Sequence, residues 1–408
     1  MNINKLNESL KYQQRKFEKE LILNPVENAP FPDILEPCNS FLHGLYNTDT
    51  VRNNEQKFNS KIQFSGRDKI TNDIQYIYSE WAHLLNADNV SMRLLSGLHA
   101  HIIIFMGLTS IGDKVMILPE QAGGHLSGAA ILKRLGLCIE EIPYNSDKMR
   151  VDKKAFQEKY YEFQPSVIFV DRSEGLIYED FTWMCSIASC YKIFDASQYL
   201  TNIICKDYKN PFDMGFDLII STMHKNLPGP QRAFIATKKN DHNWEKLRSA
   251  ISTYVSNMHV FSIYSAGLLL GHMQELKQLS KSMLQNAILL DQSLAVNGVP
   301  IIHRVSDENN PPTHHCWIYT ESQEQAFRLY LTLEKLGILT NYRFLPYNIG
   351  YGLRLGLSGA TMSGLRTEHI PLLAKIISNA YKEGYSSQLY DQTKKMIANI
   401  KERKLYEK

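Results

Sequence analysis

Between residues 90 and 237 the chain alternates short apolar runs with segments of helical period, and this constrains its fold more than any other feature. The runs lie at 90–94, 114–118, 138–142, 166–170, 192–194, 218–221 and 232–237, and helical stretches such as 98–109 and 127–135 fall between them. Runs this short and continuously apolar, several of them separated by helix-period segments, predict an α/β architecture: a mostly parallel seven-stranded sheet between helices. Such a sheet collects ligands outside the carboxyl ends of its strands. Around it, residues 5–22 have helical spacing, with Leu6, Leu10, Phe17 and Leu21 near one face. A loop-rich stretch with Pro25, Pro30, Pro32 and Pro37 follows, and a helix starts near a cap at Thr71 or Asn72. Helical periodicity runs over 243–297 with breakers at Gly267 and Gly271. After the turn Asn297-Gly298-Val299-Pro300 a second α/β pattern appears: strand 316–319, helix 323–336, strand 353–357 and a closing helix from near Thr367. The expected division is an N-terminal arm and loop segment at 1–67, a large domain at 68–290 and a small C-terminal α/β domain at 291–408, with the break near 285–300.

Charge and cysteine content narrow the function classes. Lys plus Arg is 45 and Asp plus Glu is 42, so the formal net charge is 45 − 42 = +3. That gives no electrostatic case for nucleic acid. The six cysteines, Cys38, Cys138, Cys185, Cys190, Cys205 and Cys316, form no C-x-x-C pair, and the histidines complete no zinc-ligand spacing. Reduced structural thiols and no metal are expected. The charged N-terminus lacks the apolar core of a signal peptide, and the greasiest stretch, 102–108, is far short of a membrane span. A cytoplasmic location without a membrane partner is the expectation.

Five short motifs carry chemistry. Lys225 stands just past the apolar run 218–220, within Ser221-Thr222-Met223-His224-Lys225-Asn226-Leu227-Pro228-Gly229-Pro230. Lysine is the side chain that forms a Schiff base with an aldehyde cofactor such as pyridoxal phosphate, and a Pro-Gly-Pro turn would hold it in one orientation. A lysine after a strand is otherwise a surface residue. Asp195, in Phe194-Asp195-Ala196-Ser197-Gln198, closes another strand thirty residues earlier. A pyridine nitrogen needs such a carboxylate, although a strand-end acid also serves as a turn or cap. Ser96-Gly97-Leu98 precedes a helix and offers backbone N–H groups to a phosphate. In Ala122-Gly123-Gly124-His125 the glycines permit close approach of a ligand, and His125 suits stacking on a heterocycle or moving a proton. Arg354, inside the apolar run at 351–356, needs a buried partner: a substrate carboxylate or an internal salt bridge.

At these residues the chain resembles the fold type I pyridoxal-phosphate enzymes, specifically the serine hydroxymethyltransferase-like group, over about residues 20 to 366. Glu27-Asn28 is similar to that group's Ser-Glu-Asn motif, with Val26 in place of the serine. The resemblance implies that Lys225 carries pyridoxal 5'-phosphate, that Asp195 pairs with the pyridine nitrogen and that His125 stacks on the ring. It implies phosphate contacts from Ser96, Gly97 and Leu98, cofactor contacts from Gln198 and His224, and a carboxylate site at Arg354 with Glu27 beside it. It also implies a homodimer with active sites at the interface, where Tyr46 reaches the neighbour's phosphate. The group's Tyr-Ser-Glu-Gly-Tyr, whose glutamate serves the folate reaction, reads Tyr46-Asn47-Thr48-Asp49-Thr50 here. Its Tyr-Tyr-Gly-Gly reads Phe64-Ser65-Gly66-Arg67, the histidine after the pyridine-binding acid is Gln198, and Gly-Pro-Arg reads Gly229-Pro230-Gln231. The run His-Lys-x-x-Pro-Gly-Pro-Gln instead resembles the L-threonine transaldolases, a specialised-metabolism branch of the group.

The expected activity is therefore that of an aldolase or transaldolase acting on a β-hydroxy-α-amino acid, L-threonine foremost. It would pass the glycyl carbanion to an aldehyde, with Lys225, His125 and Glu27 as catalytic residues. Three alternatives stand beside it: a folate-dependent serine hydroxymethyltransferase, a cyclase or dehydratase whose pocket Gln198 and Gln231 reshape, and a non-catalytic paralogue.

Overall fold

All seven apolar runs become strands of one sheet. In the computed structural model, which describes residues 3–402, a two-residue strand β1 (Leu21–Ile22) comes first. The sheet consists of β2 (Asn89–Ser91), β3 (Lys114–Ile117), β4 (Cys138–Glu141), β5 (Val167–Asp171), β6 (Tyr191–Asp195), β7 (Leu218–Thr222) and β8 (Ala233–Thr237). Their order is β2-β8-β7-β6-β5-β3-β4. Five of them, β4, β3, β5, β6 and β7, run parallel, while β8 is antiparallel to both β7 and β2. Every residue of β5, β7 and β8 is buried, which explains why these strands read as continuous apolar runs without alternation. Ile104 and Phe105 of the helix Gly97–Leu108 and Leu247 and Ile251 of the helix His242–Tyr254 pack with Phe169, Ile193 and Ile220 in one core.

Register decides what the sheet can present. Asp171 and Asp195, the last residues of β5 and β6, lie opposite each other. Asp195 pairs with Ile220, two residues before Thr222 at the end of β7. Three polar strand ends thus line one edge.

The chain divides into two units at other points than the expected 67 and 290. One comprises Met1–Ala29, Gly175–Tyr178 and Lys277–Lys408; the other comprises Pro30–Glu174 and Glu179–Leu276. The reason lies in β1. After β9 (His315–Tyr319), the short strand β10 (Ile338–Leu339) takes β1 in parallel pairing, so Leu21 and Leu23 join Leu336, Leu353 and Leu355 in a separate core. Leu21 therefore leaves the helical face foreseen for it, and the first helix spans Ile3–Glu18. A three-stranded antiparallel sheet, order β9-β12-β11, is completed by β11 (Asn341–Leu345) and β12 (Gly350–Gly356). Strand β11 and the last helix, Ser387–Lys401, were not foreseen. Thr71 also moves: it lies inside the helix Asp68–Leu85, where its hydroxyl donates to the Arg67 carbonyl at 3.0 Å rather than capping. No helix among the described residues is long and apolar enough to cross a membrane.

Candidate active site

Lys225 sits in a loop that the fold pins from both sides. Met223 N–H donates to the Arg232 carbonyl at 2.9 Å, and Gly229 N–H donates to the Met223 carbonyl at 2.8 Å, closing the turn that holds Pro228 and Pro230. The next residue, Asn226, is fully buried. Its Oδ1 accepts from Thr201 N–H at 2.7 Å and its carbonyl accepts from the Thr201 hydroxyl at 2.9 Å. Thr201 lies in the short helix Leu200–Ile204, which follows β6, so this clamp ties the lysine loop to the segment that carries Asp195.

Asp195 is 4% exposed and doubly held. Its Oδ1 accepts from Ser197 N–H at 2.8 Å and its Oδ2 from His101 Nε2–H at 2.8 Å. The Ser197 hydroxyl in turn accepts from Thr222 N–H at 2.9 Å, joining the ends of β6 and β7. Burial opposes ionisation of Asp195, but the His101 bond and charge and the Lys225 ammonium outweigh it and bring it down to about 2. Asp171 goes the other way. Burial and the Asp195 charge lift it to about 6, against His101, Ser173 and Lys225. His101 and Asp171 were not singled out from the sequence. Asp171 left a signal, as a second acid one residue beyond a strand candidate, whereas His101 is one of two histidines in the run after Gly97.

The Ser96-Gly97-Leu98 turn lies beside this cluster. Ser96 caps the helix Gly97–Leu108, accepting from His99 N–H at 3.3 Å. The first-turn N–H groups of Gly97 and Leu98 have no acceptor within a helix and point outward with the dipole. A Cβ on Gly97 would stand 3.0 Å from Thr222 Cγ2. This glycine is what lets the helix start come against the end of β7. His101 follows it by four residues on the same face.

Gly123 and Gly124 serve another purpose than close approach of a ligand. A Cβ on Gly123 would stand 1.9 Å from the Glu174 carbonyl oxygen, and one on Gly124 would stand 2.1 Å from that of Leu118. They pack the chain against itself and so deliver His125, whose ring lies 6.0 Å from that of His101 at 87°. His125 Nδ1 accepts from Ser127 N–H at 3.1 Å, leaving Nε2 as the ring's other polar atom.

Of the remaining residues, Gln198 is buried just after β6. His224 is pushed down to about 4 by burial and by Lys225, so it is neutral near pH 7. Gln231 is exposed at the loop's outer edge rather than set in a pocket wall. Tyr46, 37% exposed, packs on Phe64 with ring centroids 4.7 Å apart. In the smaller unit Arg354 is buried on the central strand β12 and donates from Nε to Asn341 Oδ1 at 3.2 Å. Gly356 N–H donates to the Leu23 carbonyl at 2.7 Å, which runs the 23–28 segment along the end of that strand. Glu27 is raised from its ordinary value by partial burial, against a hydrogen bond from Asn24.

Pyridoxal phosphate fits what the larger unit offers. Asp171 Oδ2, Thr222 Oγ1, His101 Nδ1 and His224 Nδ1 are all buried with no hydrogen-bond partner among the described residues. Buried polar atoms are rarely left so, and these four belong to the strand ends and adjoining segments where a polar cofactor would sit. The donor set is complementary: an acid held ionised for a pyridine nitrogen, a helix start for a phosphate and a lysine for an aldehyde.

Comparison with known proteins points the same way. The family model described as serine hydroxymethyltransferase matches residues 4–377. A serine hydroxymethyltransferase of Archaeoglobus fulgidus is 28% identical over 337 residues, covering 78% of this chain and 74% of that protein. One from Pyrobaculum calidifontis is 26% identical over 318 residues, covering 75% and 73%. Among solved structures, the L-threonine transaldolase of Pseudomonas fluorescens in its internal aldimine state superposes with a TM-score of 0.90 over 99% of this chain and 92% of that one, at 19% identity.

Proposed function

Because the chain belongs to the serine hydroxymethyltransferase family and is a pyridoxal-phosphate-dependent transferase of fold type I, we propose that it cleaves L-threonine or a similar β-hydroxy-α-amino acid. It then passes the glycine unit to an aldehyde acceptor. Bound pyridoxal phosphate supplies the electron sink for the bond broken at Cα. Lys225 anchors the cofactor, Asp195 accepts from the pyridine N–H, and the start of the helix Gly97–Leu108 binds the phosphate with Ser96, Gly97 and Leu98. Gln198, neutral His224 and a neighbouring chain's Tyr46 complete the cofactor's surroundings, and Arg354 takes the substrate carboxylate. His125 would stack on the ring and take the β-hydroxyl proton, with Glu27 as the other base.

The observation that carries this reading is at the folate glutamate. That position is Thr48, and the adjacent Asp49 carboxylate pairs with Arg93 at 3.5 Å, which speaks against its serving in the glutamate's place. This supports retro-aldol cleavage, which calls on Lys225, Asp195, Arg354 and a base, over one-carbon transfer to tetrahydrofolate. The names of the archaeal relatives favour the folate-dependent alternative, and one experiment separates the two. Purified holoenzyme with L-threonine and no folate releases acetaldehyde, and added aromatic aldehyde yields a new β-hydroxy amino acid. Serine cleavage that depends strictly on tetrahydrofolate, with threonine inert, overturns the reading. Lys225→Ala removes both the activity and the borohydride-trapped cofactor.

The working enzyme is proposed to be a homodimer. The helix Ile3–Glu18 buries none of its residues, and Phe41 and Phe58 are 87% and 88% exposed. Association of two chains would cover these large apolar side chains.

A further inference from the structure

We infer that His101 and Asp171 are positioning residues for the pyridine side of the cofactor: His101 holds the Asp195 carboxylate in the orientation that meets the ring nitrogen, and Asp171 supplies the second carboxylate against which His101 is balanced. The inference rests on the reading of Lys225 and Asp195 as cofactor residues.

A carboxylate offers about four acceptor positions. Two of those on Asp195 are taken, by Ser197 N–H and His101 Nε2–H, each at 2.8 Å. The two donors approach different oxygens, so the carboxylate cannot rotate without breaking one bond, and each oxygen keeps room for a further donor. His101 is itself held: its ring stands edge-on to Phe169, centroids 5.0 Å apart at 77°, and to His125 at 6.0 Å. The charged and titratable groups around it are Asp195, Asp171, Lys225 and His125. Asp171 Oδ2 lies 4.0 Å from His101 Nε2, while its Oδ1 accepts from the Ser173 hydroxyl at 2.8 Å.

Charge balance gives this arrangement a purpose. Asp171 and Asp195 are 5% and 4% exposed, and His101 is 3% exposed. Two carboxylates at such depth require compensating positive charge. A pyridinium N–H on Asp195 would provide one unit and a protonated His101 between the acids another, beside the Lys225 charge that acts on both acids. Consistently, His101 is raised from its ordinary value: burial lowers it, but the Asp195 hydrogen bond and the two carboxylate charges prevail over burial and Lys225. A purely structural ion pair would not leave Asp171 Oδ2 and His101 Nδ1 buried without a hydrogen-bond partner among the described residues.

The test reads cofactor binding and colour, apart from turnover. Apoprotein reconstituted with pyridoxal phosphate gives an affinity by tryptophan quenching, and the holoenzyme's visible band gives a pH midpoint. His101→Phe weakens binding about tenfold or more, the size expected for a lost buried, charge-assisted hydrogen bond, and moves the midpoint up by at least about half a unit because a positive charge is gone. His101→Asn, which keeps a donor, restores most of the affinity. Asp171→Asn moves the midpoint down by a similar amount because a negative charge is gone. Opposite shifts from neighbouring residues are a signature that loosened packing does not produce. Unchanged affinity and midpoint in both His101→Phe and Asp171→Asn overturn the inference. If His101→Phe does not fold, Asp171→Asn decides alone, and an unmoved midpoint sinks the idea. A wild-type protein that takes no cofactor on Lys225 overturns the functional reading instead.

Discussion

Asp171 and Asp195 end adjacent strands in register, yet their surroundings drive them apart. Asp171 rises from 3.8 to about 6 and Asp195 falls from 3.8 to about 2. The signs have opposite consequences for the cofactor-free protein. A raised acid favours the fold while protonated, so the Asp171 contribution is complete below about pH 4 and lost as pH rises through about 6. The Asp195 contribution is present above about pH 4 and lost as pH falls toward 2. Asp171→Asn is therefore expected to stabilise the cofactor-free protein near neutral pH by about 1–3 kcal/mol, with the gain vanishing at about pH 4. Urea unfolding at the two pH values measures it, and an equal gain at both refutes the assignment. At this scale the sequence offered Lys225, Asp195 and Arg354 as candidates, and only the order of the motifs taken together set them apart from a surface lysine, a cap and a salt bridge. His101 was not legible because its partner lies 94 residues away, and nothing local distinguishes a packed histidine from one that orients an acid.

Whole elements were legible wherever the apolar period was long or closed by a clear boundary. The helix foreseen at 323–336 forms over Gln323–Leu336, opened by the Ser322 side chain and closed by Gly337 at φ 83°. Two-residue strands such as β1 carry no period at all, and only their pairing reveals them. Gly123-Gly124 shows how a motif read for a ligand belongs to an element instead. Gly123 has φ 86° and faces the Glu174 carbonyl. Gly123→Ala is expected to cost about 2–4 kcal/mol through strain and overlap. Gly128→Ala, with nothing within 4 Å of its Cβ and a place at the start of the helix Gly128–Arg134, should be neutral or stabilising by up to about 1 kcal/mol. Denaturation midpoints of the two variants check the contrast, and equal values would show that the Glu174 contact is not rigid.

For the whole molecule, the near-balance of 45 basic and 42 acidic residues offers no global field for a partner to follow, and the proposed homodimer would cover exposed apolar residues such as Phe41 and Phe58. A sedimenting mass of about twice 46.9 kDa is expected for the wild type. Phe58→Asp, at a side chain 88% exposed in the single chain, should shift it toward monomer without loss of helical signal. A wild-type monomer at micromolar concentration contradicts the homodimer. By itself the sequence determined the α/β class, the seven main strands and the residue types proposed for the site. Burial on both faces leaves continuous apolar runs, and Schiff-base and carboxylate chemistry each admit few residue types. Tertiary structure decided the division of the chain and the environment of the acids. Leu21 joins the C-terminal core through pairing with Ile338, and Asp195 owes its ionisation to His101 and Lys225. Pairing and electrostatics act through space between residues far apart in sequence, and a linear pattern does not encode that distance.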